Sequence, residues 1–139
     1  MKITIKNLQN KLPIRLAKIK KLILNVLDGE GIKESGCINI CFTDDSLIKK
    51  FNRKFLKTNS STDVMAFNLS NNKIGKILLA DIMISTDTAL RNAREFKTKT
   101  EYELMLYIAH GILHILGYND HNKTQRKLMR KKEAEYVDR

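Results

Sequence analysis

The chain has 139 residues and a formal net charge of +11 at pH 7, from 26 Lys and Arg against 15 Asp and Glu. With 42% hydrophobic and 29% charged residues it has the make-up of a folded chain, so residues 1–139 are expected to form a single domain around one core. No apolar run is long enough to span a membrane and the N-terminus lacks the apolar stretch of a secretory leader, which argues against a membrane partner.

Met1 to Lys6 alternates apolar and polar residues, the pattern of a short strand. Leu12, Leu16, Ile19, Leu22, Ile23 and Val26 recur at helical spacing, with Pro13 suited to a first turn and Gly29 to a stop, predicting a helix over 12–27. Cys37 to Phe42 reads as a strand. Its two cysteines point the same way but lie too far apart for a disulfide, so reduced thiols and a cytoplasmic location are expected. Thr43-Asp44-Asp45-Ser46 has the look of a cap opening a helix through Leu47, Ile48, Phe51 and Phe55. Thr62–Leu69 and Ile77–Ile84 are strand candidates flanking the turn chemistry of residues 71–75, hence a hairpin.

Thr86 can cap a helix over 87–96. Thr100-Glu101-Tyr102-Glu103 has a capping-box pattern and opens a helix to Leu116, which Gly117 ends. A basic helix fills 123–137. The order β-α-β-α-β-β-α-α-α predicts an α+β fold, a small mixed sheet with helices packed on it.

All three histidines fall in one stretch, HGILHILGYNDH. His110 and His114 are one turn apart on the same helix face, a spacing that lets two imidazoles grip one metal ion. The helix is otherwise apolar almost all round, so it is expected to be buried, where unpartnered imidazoles are costly. Gly117 permits a sharp turn that brings His121 back as a third ligand, leaving the open position of a catalytic site. One divalent metal per chain is expected, with zinc the first choice for imidazole ligands. Zinc proteases of the HExxH type place a glutamate after the first histidine. Here that position is Gly111, which disfavours a peptidase.

The pattern HGxLHxxGY followed by Asp-His resembles the signature of the YbeY family of endoribonucleases and rRNA maturation factors. The likeness extends to Phe51-Asn52-Arg53-Lys54-Phe55, to Ser61-Thr62-Asp63-Val64-Met65-Ala66-Phe67 and to Leu79-Ala80-Asp81-Ile82. The resemblance implies a four-stranded mixed sheet with about five helices and a zinc-type site at His110, His114 and His121. It also implies cleavage of single-stranded RNA, 3′-end maturation of 16S rRNA and ribosome quality control.

Two departures stand out. Many members read Gly-Tyr-Asp-His where this chain reads Gly-Tyr-Asn-Asp-His, so register favours Asp120 as third ligand and ligand chemistry favours His121. Many members also carry an arginine where this chain has Leu56, and Arg53, one turn earlier, is the candidate to stabilise phosphate charge.

Asp81 interrupts an apolar strand. It either orients a metal-ligating histidine or serves the nearby structure, and the structural role is favoured; Asp63 reads the same way. Ser61 and Thr62 read as turn residues. Lys123, Arg126, Lys127, Arg130 and Lys131 form a broad basic helix face fit to track an RNA backbone. The basic face points to RNA, and the resemblance implies the small ribosomal subunit as a partner, with no DNA expected. The expected activity is metal-dependent hydrolysis of RNA phosphodiesters. The alternative is a non-catalytic assembly factor that binds rRNA and holds a structural metal.

Overall fold

The computed structural model describes residues 1–33, 35–51, 53–54, 64–69 and 77–138. Its strands are β1 (Lys2–Asn7), β2 (Ser35–Thr43), β3 (Val64–Asn68) and β4 (Ile77–Ser85), in sheet order β1-β2-β4-β3. β1, β2 and β4 run parallel, while β3 pairs antiparallel with β4 and puts Val64 opposite Ile84. The mixed sheet is as the element order predicted, and the strands on either side of residues 71–75, which lie outside the described residues, pair as expected of a hairpin.

The helices are α1 (Leu16–Gly29), α2 (Asp45–Phe51), α3 (Thr86–Phe96), α4 (Thr100–Ile115) and α5 (Lys123–Val137). Ile38, Ile40, Phe42, Ala80, Ile82 and Ile84 alternate along β2 and β4 and are all buried. They supply one apolar sheet face, since every second side chain of a strand points to the same side. α4 lies on it through β3 and β4 and is flanked by α1, α3 and α5. Leu104, Ile108, Ile112 and Leu113 of α4 complete the core with Ile19, Ile23 and Val26 of α1. No helix among the described residues is long and apolar enough to cross a membrane.

Three helix starts differ from the sequence pattern, each for a local reason. α1 begins at Leu16, not Leu12. The Gln9 side chain accepts from the backbone N–H groups of Lys11 and Leu12 and donates to the Leu12 carbonyl, 2.8 Å away. Pro13 also disfavours a helical conformation at Leu12. Ser85, not Thr86, caps α3 by accepting from the Thr88 N–H. Thr86 is buried and donates to the Thr43 carbonyl at 3.1 Å. α4 starts after Lys99, whose side chain has no acceptor to cap with, and Glu103 is turned inward to accept from the Thr98 hydroxyl at 2.6 Å.

Candidate metal centre

α4 is buried along most of its surface, as its apolar composition predicted, and is open only along one stripe. Leu106, His110 and His114 lie on that stripe at four-residue steps and are each half-buried. The two imidazoles meet edge to face, with ring centroids 4.5 Å apart. This is the i, i+4 proximity that helical geometry requires.

The chain turns back at Gly117, whose φ of 107° is costly for any residue with a Cβ. The Tyr118 N–H donates to the Leu113 carbonyl and the Gly117 N–H to the His114 carbonyl, both at 3.0 Å, closing the end of α4. The returning chain places Asp120 Oδ2 3.6 Å from His110 Nε2 and 3.4 Å from His114 Nε2. His110, His114 and Asp120 therefore offer three ligand atoms within 4.8 Å of one another, a group that can hold a metal ion. Two imidazoles and a carboxylate are a donor set found in catalytic zinc sites.

Each histidine is oriented by its other nitrogen. His114 Nδ1 donates to the Tyr118 carbonyl at 2.9 Å, and His110 Nδ1 donates to the Glu133 carboxylate of α5. Carbonyl and carboxylate oxygens can only accept, so both rings carry a proton on Nδ1 and present Nε2 to Asp120. Such outer partners fix the tautomer and raise ligand basicity.

Tyr118 is fixed in turn by Glu30, at the end of α1. The Glu30 carboxylate, whose side chain is 10% exposed, accepts from the Tyr118 and Tyr136 hydroxyls and from Lys132 Nζ at 3.3 Å. Burial pushes the Glu30 carboxyl up, but these donors outweigh it and hold it below the usual carboxylate range. Glu30 in turn raises the Tyr118 phenol, which stays protonated and keeps donating at neutral pH.

Not every predicted site residue comes to this cluster. His121 is exposed and outside it, and its backbone N–H donates to the Gln125 side chain at 3.0 Å. α5 begins just after it, with the Asn122 side chain capping the Gln125 N–H at 2.8 Å. That cap fixes the chain so that Asp120, not His121, faces the two rings.

Asp81 stands between the inward-facing Ala80 and Ile82 on β4, so it points to the sheet face away from α4. There its carboxylate accepts from Asn39 Nδ2 at 2.9 Å. Arg53 is exposed. Leu56, Ser61, Thr62 and Asp63 lie outside the described residues. Glu30 and Glu133 were not legible, since they reach the site from 88 and 23 residues away in the chain.

A family model described as Endoribonuclease YbeY matches residues 4–139. The chain belongs to the YbeY family. Relatives named Endoribonuclease YbeY include one from Syntrophus aciditrophicus, 37% identical over 97% of this chain and 87% of its own length. Others come from Caldicellulosiruptor bescii, 34% identical over 99% of this chain and 96% of the relative, and Pelotomaculum thermopropionicum, 31% identical over 100% and 97%. A solution structure of a Thermotoga maritima protein is 26% identical, with a TM-score of 0.64, covering 98% of this chain and 87% of that one.

Position 111, where HExxH proteases carry their base, faces the sheet in this YbeY chain. A Cβ there would lie 3.1 Å from Ile82 and 3.2 Å from Val64. A glutamate would be pressed into the core rather than presented to a substrate.

Proposed function

We propose that this protein is a metal-dependent endoribonuclease that cuts single-stranded RNA in the cytoplasm. Its proposed role is maturation of the 3′ end of 16S rRNA and quality control of ribosomes. Membership of a family whose relatives are named endoribonucleases supports the reaction class. The observation that carries the metal-dependent reading is the three-ligand group His110, His114 and Asp120, whose side chains are 22%, 29% and 39% exposed.

A structural metal is typically enclosed by four protein ligands, whereas a catalytic one keeps a position open. Among the described residues, no fourth Cys, His, Asp or Glu joins the group. This favours the nuclease over an rRNA-binding assembly factor with a structural metal. Zinc is the proposed ion, and Asp120 takes the place of His121 as its third ligand.

A bound divalent ion supplies Lewis acidity toward a phosphoryl oxygen and toward water. The chain's own residues do the rest. Glu133 and the Tyr118 carbonyl hold both imidazoles in register, and Asp120 adds negative charge that strengthens cation binding. The exposed Lys123, Lys127 and Lys131 of α5 offer phosphate contacts, and the exposed Arg53, away from the cluster, is proposed as a further one.

The test is cleavage of one end-labelled RNA, free or annealed to its complement, and of a precursor carrying the 16S 3′ end. Cleavage confined to the free strand, with a discrete product end on the precursor, is expected. Binding to both RNAs without cleavage would leave the assembly-factor reading.

A further inference from the structure

The cluster opens on one side into a cleft of about 490 Å³ between α3, α4 and α5, and His110 and Asp120 form its inner wall. That volume falls within the ~300–1,000 Å³ of small-molecule sites. Two features of this cleft are not explained by packing. Phe96, the last residue of α3, lines it yet is 60% exposed. Arg126 and Arg130 of α5 line the opposite side and are exposed, one helical turn apart. Leu106 extends the floor from His110 along the open stripe of α4.

We propose that this cleft is a nucleotide subsite, taking one unpaired nucleotide of the RNA next to the phosphodiester at the metal cluster. The base lies on Phe96 and Leu106, and the flanking phosphates meet Arg126 and Arg130. The inference rests on the endoribonuclease reading and adds to it a specificity pocket.

The chemistry selects this ligand over others. An aromatic ring facing two arginines across a cleft matches what single-stranded nucleic-acid sites use, stacking for the base and cation for the backbone. Arg126 Nη1 already donates to the Asp120 carbonyl at 3.4 Å, so the cationic wall is continuous with the metal-binding loop. Glu133, which also lines the cleft, is paired with His110. Only an unstacked base can lie on the Phe96 ring. A duplex keeps its bases stacked on one another, so the cleft itself discriminates against paired RNA.

The subsite is tested on zinc-loaded protein with an unstructured oligoribonucleotide. Phe96→Ala should raise KM about tenfold, the size of one lost stacking contact, with kcat and bound zinc little changed. Phe96→Tyr should restore KM. Replacing Arg126 and Arg130 by Gln should flatten the salt dependence of RNA binding, by about 0.7 in slope per lost phosphate contact.

A second arm does not depend on cleavage. Adenosine 5′-monophosphate titrated into the zinc-loaded protein should shift the Phe96 ring and Leu106 methyl resonances, and Phe96→Ala should weaken its binding. Absence of those shifts at millimolar nucleotide would overturn the subsite, whether or not RNA is cut. Cleavage by Phe96→Ala with an unchanged KM would also overturn it, while leaving the nuclease reading intact. Nucleotide shifts in a protein that cuts no RNA would uphold the subsite and remove the nuclease reading instead.

Discussion

Replacing Glu30 by Gln should loosen the metal site from a distance. Glu30 accepts from two tyrosine hydroxyls and Lys132, and its side chain is 10% exposed. A hydrogen bond to a charged group contributes about 1.5–3 kcal/mol. Glutamine keeps one carbonyl acceptor and no charge, so all three donors lose their charged partner and at least one of them loses its acceptor. The expected loss of stability is about 2–4 kcal/mol, a large share of the ~5–15 kcal/mol typical of a folded domain.

The effect reaches the metal through Tyr118. Its hydroxyl is the group Glu30 holds, and its carbonyl is the group that orients His114. Loss of such an outer partner typically costs about 10–100-fold in metal affinity. Urea denaturation and zinc competition against a chromophoric chelator measure the two effects separately. A variant with wild-type urea midpoint and wild-type zinc affinity would refute the reasoning. Lost stability with unchanged affinity would confine Glu30 to the fold.

Other outcomes follow from the same geometry. Asp120→Ala should weaken zinc binding by more than about 100-fold, a larger loss than an outer partner causes, while His121→Ala should change it little; the reverse ranking by competition titration would restore His121 as third ligand. Gly111→Ala should cost about 1 kcal/mol in urea denaturation, because crowding of about 1–3 kcal/mol exceeds the ~1 kcal/mol of helix preference gained; a stabilised variant would contradict the close approach of Ile82 and Val64. Burial pushes the Asp45 carboxyl up, but Arg91 and Ser85 outweigh it and hold it low, as the donors around Glu30 hold that carboxyl low. A depressed folded-state value contributes stability that is present above the unfolded value of about 4 and is lost as pH falls through the folded one. Wild-type stability should therefore drop below about pH 4, and Asp45→Asn should flatten that drop in acid titrations of the urea midpoint.

The sequence revealed what periodicity controls and missed what tertiary contacts decide. Alternation in β2 and β4 and the apolar surround of α4 gave the sheet and the buried helix, because each pattern has one period and one face to bury. The i, i+4 pair His110 and His114 was legible for the same reason. Ser85 displaced Thr86 as a cap only because Thr43 claims the Thr86 hydroxyl from across the fold. The third ligand was a one-residue question of loop register. Ligand chemistry favoured His121, but the Asn122 cap and the backbone of His121 tie that residue to α5 and leave Asp120 facing the rings. Asp81 was read with two roles, and strand alternation sends it to the face opposite α4. Glu30 and Glu133 carry no local signal, since their partners lie far along the chain.

The most direct test of the account is a zinc titration into metal-stripped protein, following bound metal and cleavage of an unstructured RNA in the same samples. Cleavage should rise in step with bound zinc and stop rising at one ion per chain, and His114→Ala should lose both together. Full cleavage by the stripped protein, or by a His114→Ala variant without metal, would contradict it.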